Sequence, residues 1–517
     1  MHSCPIRRPL LLLVAALGGS LGSASLTARD PALVLRNSSL DFQAGAPATA
    51  HRSARALPLN RFQASRAEAT PHAYSHLAVG IADDYFDGTS PQARVRRHLR
   101  VAHQLGVKYF RCAFSWNAIE KVPGQYRWAF WDMLVREAAS AHVELIPYVA
   151  YTPQWAAASE TNFWRQPPRN PNLYAEFMER IVERYRGKIH AWEIWNEPDN
   201  RDYWQGSAQG YAELVRAAAL AMRRADPSVV LVLGGMSHGP GPFFRELLPH
   251  IAGYVDVIAM HAYPESWDEQ RAEEVYEHWP AQMTALVDEQ APGTDFWINE
   301  MGYADYRFSA NRASPYGISV FYNYEHTSAY QAEFLFKTEV MALAFPRTSL
   351  TAWYRIDDFS SLTTHFSADE VNYHLGLLDA ARHPKPAFYA MKFFEKLFGG
   401  QVTHIPVRLQ VANTAGKVNT LSDAVVNVFR ADRSELIITG WLRSSLPSEV
   451  HDHSGTSQDS RNESVSIALP CQTVSRARSY DVEGHALASP ARFADGWLRG
   501  TPLSGDRVFI EVLQCKN

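Results

Sequence analysis

The sequence has little of what several large classes of protein require. Its 517 residues carry a formal net charge of −4 with no run of like charge, so neither a nucleic-acid partner nor a basic membrane-binding patch is indicated. No glycine-rich loop opens a helix, and neither a nucleophile elbow nor paired His–Cys metal spacing is present. We therefore expect no cofactor, no bound metal, and a substrate that is uncharged or recognised locally.

Long apolar runs are also scarce, and the one near the N-terminus is short. Arg7-Arg8 precede the apolar run Pro9–Leu17, and small residues follow from Gly18 to Ser25. This order is typical of a secretory signal peptide, and its apolar part falls well short of the roughly 20 residues that a membrane span needs. It predicts a signal peptide over residues 1–28, a secreted or periplasmic protein, and no membrane insertion of the mature chain. The alternative is a leader retained on a cytoplasmic protein.

Cysteine is rare, with four residues in the whole chain, and Cys4 would leave with the signal peptide. Cys112 lies in the apolar run 110–114 and is predicted to be a buried core thiol. Cys471 and Cys515 lie in the same C-terminal region, where an oxidising compartment would allow a disulfide. The sequence leaves that pairing open, because it does not give the geometry that a disulfide requires.

The remaining chain divides into three parts. Residues 29–75 are rich in Ala, Arg and Ser without a sustained period, which predicts a linker or loosely ordered arm. Residues 76–400 alternate short β-rich runs with helical segments, as parallel strands joined by crossover helices do. Residues 401–517 contain short β runs and an Asp495-Gly496 turn signal, which predicts a small β-sandwich domain.

Eight strands are predicted between residues 76 and 400, with a helix between most pairs. They are Leu77–Ala82, Tyr109–Phe114, Leu145–Ala150, Ala191–Asn196, Val229–Gly234, Val255–His261, Phe296–Glu300 and Thr351–Arg355. This pattern predicts fold class α/β, a (β/α)8 TIM barrel, which a last helix opening at Pro386 closes. In such barrels the active site forms at the C-terminal ends of the strands, so polar residues there are candidates for function.

Two of these strands end in carboxylates. Asn196-Glu197-Pro198 ends the fourth strand, and Glu300 ends the seventh, 103 residues later (300 − 197). Two carboxylates on the tips of two strands are what cleavage of a glycosidic bond needs. Apolar Trp195 and the charge of the second carboxylate would raise the pKa of Glu197, as a proton donor requires. We therefore assign Glu197 as the acid/base and Glu300 as the nucleophile.

Other residues at or near the strand ends are suited to support this pair. Arg111 and Tyr263 can keep Glu300 ionised by charge and hydrogen bonding; for Arg111 the alternative is a buried salt bridge without catalytic duty. Glu193 lies four residues before Glu197, about 13 Å deeper on the same side of the strand, and is predicted to be a paired carboxylate inside the barrel. The substrate-binding candidates among the strand-end residues are Arg111, Asn196, His261 and Tyr263.

Aromatic residues crowd the predicted loops. Sugar rings present apolar C–H faces, so aromatic platforms are the expected lining of a carbohydrate cleft. Trp155 and Trp353 are predicted to be such platforms, whereas ordinary packing is the better interpretation for any single tyrosine among Tyr316, Tyr322 and Tyr324. The long segment after Glu300 either blocks the cleft or shapes several subsites, so exo and endo action both stay open.

These motifs resemble a clan of (β/α)8 retaining glycosidases that carry the acid/base on strand four and the nucleophile on strand seven. Asn196-Glu197-Pro198 matches the Asn-Glu-Pro signature of that clan, Glu300 ends its strand-seven pattern, and His261-Ala262-Tyr263 is similar to its strand-six His-x-Tyr. Trp353 resembles the strand-eight tryptophan that forms the floor of the sugar site. The resemblance covers roughly residues 76–397.

Within the clan, residues 110–116, 151–156 and 192–199 are most similar to glycoside hydrolase family 39. That family includes β-xylosidases, α-L-iduronidases and endo-acting hydrolases of bacterial exopolysaccharide, and its members carry a C-terminal β-sandwich. One departure is that no strand-three histidine is evident, and Tyr148 or Tyr151 is the candidate to fill its place. Family 5 is therefore the alternative.

The sequence thus predicts a retaining glycoside hydrolase that cleaves O-glycosidic bonds in a polysaccharide or oligosaccharide through a covalent glycosyl-enzyme intermediate. A transglycosylase on the same scaffold and a non-catalytic carbohydrate-binding protein are the alternatives. The complete set of site residues argues against the second, since loss of chemistry usually leaves a gap in such a set. The sugar, the linkage, the role of the C-terminal domain and the oligomeric state stay open.

Overall fold

The computed structural model describes residues 74–75, 77–267, 270–306, 326–359, 370–411, 423–431, 434–444, 459 and 461–516. The predicted signal peptide and nearly all of the predicted arm lie outside these residues, as do Tyr316, Tyr322 and Tyr324. The described part of the chain forms a closed barrel followed by two antiparallel sheets.

Eight parallel strands close into the barrel, as predicted. Every predicted strand is found, and its ends lie within three residues of the predicted ones. The strands are β1 (Ala78–Ala82), β2 (Tyr109–Ser115), β3 (Glu144–Ala150), β4 (Ala191–Ile194), β5 (Val230–Leu233), β6 (Val257–Ala262), β7 (Asp295–Met301) and β8 (Thr348–Tyr354). Because the strands are parallel, all their carboxyl ends meet at one rim of the barrel.

Helices connect the strands. They are α1 (Gln92–Leu105), α2 (Trp116–Ile119), α3 (Ala129–Ser140), α4 (Pro171–Arg184), α5 (Ala208–Ala225), α6 (Pro242–Ile251), α7 (Ala272–Asp288), α8 (Ser328–Ala344) and α9 (Pro386–Phe398). α1 buries Val95, Leu99 and Ala102 and ends at Gly106, whose φ of 84° favours glycine. α9 begins at Pro386, as predicted. None of the described helices combines the length and apolar character that crossing a membrane requires.

Successive residues of a barrel strand face opposite layers. On β8, Leu350, Ala352 and Tyr354 belong to the apolar cluster inside the barrel. Trp353 belongs to the larger cluster, which lies between the strands and the helices. This alternation follows from the two-residue period of a β-strand. The phase of each strand therefore decides which of its last residues can reach the rim from inside.

Two antiparallel sheets follow the barrel and form the predicted β-sandwich. Their strands are β9 (Val402–Ile405), β10 (Leu409–Val411), β11 (Ala424–Arg430), β12 (Glu435–Leu442), β13 (Asn462–Ala468), β14 (Thr473–Tyr480), β15 (Ala486–Leu487), β16 (Arg492–Ala494), β17 (Trp497–Ser504) and β18 (Phe509–Lys516). Beside residues 74–75, one sheet has the order β9-β11-β12-β18-β14-β15, and the other has the order β10-β13-β17-β16. Apolar side chains such as Val428, Ile438 and Ile467 fill their core. The predicted Asp495-Gly496 turn joins β16 to β17 with φ of 52° and 76°, as a tight hairpin requires.

Two details of the C-terminal region differ from or add to the sequence analysis. Tyr74 and Ser75, at the end of the predicted arm, pair with Thr403 and Val402 of β9. These two residues therefore belong to the C-terminal sheet. They pair with the backbone of β9, which would otherwise be the edge strand of that sheet. Cys471 and Cys515 form a disulfide with their Cα atoms 5.7 Å apart, and Cys112 is a free, buried thiol, as predicted.

Candidate active site

The fourth strand ends in a strained turn that carries Glu197. Trp195 and Glu197 have φ of 74° and 43°, a left-handed conformation that residues other than glycine rarely adopt. Hydrogen bonds hold the turn, from Tyr211 Oη to Ile194 O (2.5 Å) and from Trp195 Nε1 to Tyr203 O (3.1 Å). Backbone strain of this kind persists only where the surroundings enforce it, and it is common at functional sites.

Glu300, on β7, accepts hydrogen bonds from two of the predicted residues. Arg111 Nη1 donates to its Oε2 (2.6 Å) and Tyr263 Oη donates to its Oε1 (2.6 Å). Arg111 also donates to both carboxylate oxygens of Glu193 (2.7 and 2.9 Å) and to Asn196 Oδ1 (2.8 Å). The buried Arg111–Glu193 pair and the contact of Arg111 with Glu300 therefore exist together, and one guanidinium orients both strand ends.

His261, at the end of β6, lies between the two candidate catalytic carboxylates. Its Nδ1 is 2.8 Å from Glu197 Oε1 and 3.8 Å from Glu300 Oε2. Its Nε2 has no hydrogen-bond partner among the residues that the structure describes, so we place a proton on Nδ1, which donates it to Glu197. Gly235 passes so close to the ring that a Cβ there would lie 2.2 Å from Nε2.

The two carboxyl groups have opposite electrostatic environments. Burial raises the pKa of Glu197, and the charge of Glu300 adds to that effect while His261 opposes it. Burial also acts to raise the pKa of Glu300, but His261, Arg111 and the hydrogen bond from Tyr263 together lower it below the ordinary value. Glu300 is therefore the ionised member of the pair, and Glu197 is the member that retains a proton.

The same three side chains are close enough to ligate a metal. One oxygen each from Glu197 and Glu300 and one ring nitrogen of His261 lie within 4.8 Å of one another. These atoms already have partners, since His261 pairs with Glu197, and Arg111 and Tyr263 bind Glu300. The Arg111 guanidinium would also repel a cation placed beside it. The donor set therefore fits a protonated and hydrogen-bonded site better than a metal centre.

Both carboxylates face a cavity of about 420 Å³, within the range of small-molecule sites. Its aromatic lining residues are Phe86, Tyr148, Tyr151, Tyr203, Tyr263, Trp267 and Tyr354. Its polar lining residues are Asp84, Asn196, Glu197, Asn200, Asp202, Ser237, His238, His261, Glu300 and Asn372. Aromatic faces around a carboxylate pair are the surroundings expected for a sugar ring.

The structure brings together six of the eight predicted site residues. Five line the cavity, namely Asn196, Glu197, His261, Tyr263 and Glu300, and Arg111 contacts Glu300 from inside the barrel. The predicted place of Trp353 is wrong, and Trp155 does not line this cavity. Trp353 is fully buried on the outward side of β8, and its Nε1 donates to Leu375 O (3.2 Å). Trp155 packs edge-on against Trp116 and its Nε1 donates to Glu120 O (2.8 Å).

Sequence reasoning missed several residues of the cavity. Asp84 accepts a hydrogen bond from Tyr148 Oη (2.8 Å), and burial together with the charge of Glu300 raises the pKa of Asp84 to about 7. It lies two residues after β1, so the strand-end rule that identified Glu197 applies to it equally. Tyr354, rather than Trp353, is the β8 residue that lines the cavity. Tyr148 and Tyr151, the two candidates to replace the strand-three histidine, both line it.

Comparison with known proteins agrees with this architecture. Residues 91–450, more than half of the chain, match the family model described as Glycosyl hydrolases family 39. A family 39 glycoside hydrolase from Bacteroides cellulosilyticus WH2 is similar in structure, with a TM-score of 0.61 and 16% sequence identity over 86% of this chain and 81% of that chain. A monomeric β-xylosidase from Caulobacter crescentus CB15 has a TM-score of 0.54 and 15% identity over 86% of this chain and 98% of that chain. A family 30 subfamily 8 xylanase from Clostridium acetobutylicum also has a TM-score of 0.54 and 15% identity, over 86% of this chain and 98% of that chain.

Proposed function

Because the chain belongs to glycoside hydrolase family 39 and is a glycosidase, we propose that it cleaves O-glycosidic bonds with retention of anomeric configuration. The proposed substrate is a polysaccharide or oligosaccharide. Glu197 is the proposed acid/base, Glu300 the proposed nucleophile, and Arg111, Asn196, His261 and Tyr263 support them at the cavity.

The separation of the two carboxyl groups carries the proposal of retention. Retaining glycosidases hold them about 5–5.5 Å apart, whereas inverting enzymes leave about 6.5–9.5 Å for a water molecule. One oxygen of Glu197 lies within 4.8 Å of one oxygen of Glu300. This distance is the approach of single oxygens rather than the separation of the whole groups, and it supports the shorter spacing of a retaining enzyme.

In the first step, a carboxylate oxygen of Glu300 attacks the anomeric carbon and the bond to the leaving oxygen breaks. Glu197 donates its proton to that oxygen as it leaves. Arg111 and Tyr263 hold Glu300 ionised and aimed before the attack, since each donates to a different carboxylate oxygen. The product of this step is an ester between the sugar and Glu300.

In the second step, water hydrolyses the ester between the sugar and Glu300. Formation of the ester removes the negative charge of Glu300, which had helped to raise the pKa of Glu197. Glu197 then accepts a proton from water, the water oxygen attacks the anomeric carbon, and the ester bond breaks. Two displacements at the same carbon restore the original configuration, and both carboxyl groups return to their starting protonation.

The proposal is tested with four purified proteins: wild type, Glu197→Gln, Glu300→Gln and the control Glu277→Gln, which changes a glutamate on α7 away from the cavity. Each is incubated with plant and bacterial polysaccharides and aryl glycosides, and released sugars are sized. We expect both site variants to lose at least about 100-fold in rate and the control to match wild type. Activity of either site variant within about threefold of wild type would contradict the assignment.

Stereochemistry separates retention from inversion. The anomer released first is identified by NMR before it equilibrates in solution. We expect the configuration of the substrate in the first product, and the opposite configuration would contradict a nucleophilic role for Glu300.

The choice of substrates and acceptors addresses the alternatives. The similar structures named as a β-xylosidase and a xylanase make aryl xylosides and xylan the first compounds to test, followed by bacterial exopolysaccharides. A transglycosylase would share the first step and transfer the sugar to an added acceptor in the second. Glycan binding by wild type without any release would favour a carbohydrate-binding protein.

We also propose that the protein is secreted or periplasmic. The basic, apolar and small segments at the N-terminus support export, and a disulfide between Cys471 and Cys515 suits an oxidising compartment. N-terminal sequencing of protein recovered outside the cytoplasm tests this. We expect a mature start between Leu26 and Asp30, and an intact Met1 would contradict the proposal.

A further inference from the structure

The loop after β6, described over residues 263–267 and 270–271, carries two groups of the active site. Tyr263 Oη donates to Glu300 Oε1 (2.6 Å). Trp267 lines the cavity and packs edge-on against the Tyr263 ring, with centroids 4.6 Å apart. The position of this loop therefore decides whether the candidate nucleophile keeps one of its two hydrogen bonds to its carboxylate oxygens.

Glu265 lies midway between Tyr263 and Trp267 and is under constraint. It is fully buried, and its φ of 63° is in the left-handed region. A buried carboxylate and a strained backbone both raise the free energy of the folded state unless neighbours compensate. The contacts of Glu265 therefore identify what holds the loop.

Those contacts come from the barrel, and one of them is linked to the C-terminal sheets. Ala272 N donates to Glu265 Oε1 (3.1 Å), and Tyr330 Oη donates to Oε2 (3.3 Å). The hydroxyl of Ser444, two residues after β12, lies 3.2 Å from Tyr330 Oη and is therefore one hydrogen bond away from Glu265. A residue of the β-sandwich is thus linked through Tyr330 to the loop that carries Tyr263.

Ser444 is itself anchored to the start of α7 by Glu273. Ser444 N donates to Glu273 Oε2 (3.3 Å), and Trp441 Nε1 donates to Glu273 Oε1 (2.9 Å). Glu273, Trp441 and Ser444 are all buried. Buried charged groups are weak contributors to net stability compared with apolar packing, so simple attachment of two domains does not explain why two carboxylates lie here.

We propose that Ser444 is a positioning residue for the active site: through Tyr330 and Glu265 it holds residues 263–267 so that Tyr263 keeps its hydrogen bond to Glu300. The inference rests on the proposed function, because it assigns Glu300 as the nucleophile. It gives the β-sandwich a part in catalysis without any contact between Ser444 and the sugar.

Replacement of Ser444 by alanine tests the proposal by a change in pH dependence. Tyr263 donates to the carboxylate of Glu300 and so favours its ionised form. Loosening that bond raises the pKa of Glu300, which moves the acid limb of kcat/KM to higher pH, by up to about one unit. We expect kcat/KM at the optimum to fall by about tenfold, since small displacements of catalytic groups are costly.

The matched control is Glu277→Gln. Glu277 lies one turn after Glu273 on α7, and its carboxylate accepts a hydrogen bond from Arg443 of the same β-sandwich (2.9 Å). Among the described residues, no hydrogen bond joins Glu277 to Glu265. We expect its acid limb and its kcat/KM to match wild type. Tyr330→Phe removes the hydroxyl that links Ser444 to Glu265. It is expected to shift the acid limb as Ser444→Ala does, which guards against a folding defect in one variant.

A double-mutant cycle shows whether Ser444 acts through Tyr263. Tyr263→Phe alone should move the acid limb of kcat/KM to higher pH. Adding Ser444→Ala to Tyr263→Phe should then change the acid limb and kcat/KM little. The inference would be overturned if Ser444→Ala left the acid limb at its wild-type pH. It would also be overturned if Ser444→Ala lowered kcat/KM as much in the Tyr263→Phe background as in wild type. Failure of the proposed function is a different result: wild type would release no sugar, or Glu300→Gln would remain active.

Discussion

At the scale of single residues, neighbours give two chemically identical carboxyl groups different pKa values. His261, Arg111 and Tyr263 outweigh burial and lower the pKa of Glu300 below 4.5, whereas burial leaves the pKa of Glu197 above 4.5. The pair is arranged for one ionised and one protonated member over the pH range between these two values.

This difference predicts a bell-shaped pH dependence of kcat/KM. Activity requires ionised Glu300, so it is lost as pH falls through a pKa that lies below the ordinary glutamate value of 4.5. Activity also requires protonated Glu197, so it is lost as pH rises through a pKa above 4.5. Initial rates across the acid and alkaline range measure both limbs. If the residual activity of Glu197→Gln still fell at high pH as in wild type, ionisation of Glu197 would not be the cause of the basic limb.

Gly235 shapes the site through the space it leaves. A Cβ at this position would lie 2.2 Å from His261 Nε2 and 2.9 Å from Asn299 Oδ1. Gly235→Ala must therefore displace His261, and we expect kcat/KM to fall about 100-fold and the free energy of unfolding to fall by about 1–3 kcal/mol. Gly210→Ala is the control, because its Cβ would meet only Ser207 Oγ at 3.5 Å. Full activity of Gly235→Ala would show that the His261 position is not critical.

At the scale of elements, strand ends were predictable and strand phase was not. Glu197 and Glu300 follow from apolar runs that end in acidic residues, because parallel strands bring such ends to one rim. The sequence does not say whether Trp353 or Tyr354 faces inward, because pairing with the neighbouring strands fixes the phase of β8. Trp155 lies in a loop, where no period constrains the direction of a side chain.

The two aromatic residues at the end of β8 should therefore affect different properties. Trp353 is fully buried among the helices, so Trp353→Ala is expected to lower the free energy of unfolding by about 3–5 kcal/mol. Tyr354 lines the cavity, so Tyr354→Phe is expected to change kcat/KM while stability stays within about 1 kcal/mol of wild type. Denaturant unfolding and initial rates measure the two effects. The opposite pattern would mean that β8 has the other phase.

At the scale of the whole molecule, the contacts between barrel and β-sandwich were beyond the sequence analysis. Trp441 Nε1 donates to Glu273 across 168 residues, and Lys337 Nζ donates to Gly505 O (3.1 Å) across another 168. Pairing of Tyr74 with Thr403 of β9 spans 329 residues (403 − 74). Periodicity reports only local structure, so it predicts the two domains but not the polar groups that join them.

Buried acids also make the stability of the whole fold depend on pH. Glu339, on α8, is fully buried and accepts a hydrogen bond from Thr351 Oγ1 (2.8 Å). Burial raises the pKa of Glu339 from 4.5 to about 8. The folded protein therefore binds this proton more tightly than the unfolded chain does, so the contribution is fully present below pH 4.5 and declines as pH rises towards 8.

We expect the free energy of unfolding to fall over that interval by an amount on the order of 4 kcal/mol from this group, at about 1.4 kcal/mol per pKa unit. Glu339→Gln, which stays neutral, should flatten the decline and be more stable than wild type near pH 8, whereas Glu277→Gln should keep the wild-type slope. Urea unfolding at several pH values measures these curves. Parallel curves for wild type and Glu339→Gln would show that Glu339 ionises in the folded protein as readily as in the unfolded chain, because only a difference in proton affinity between the two states produces a slope.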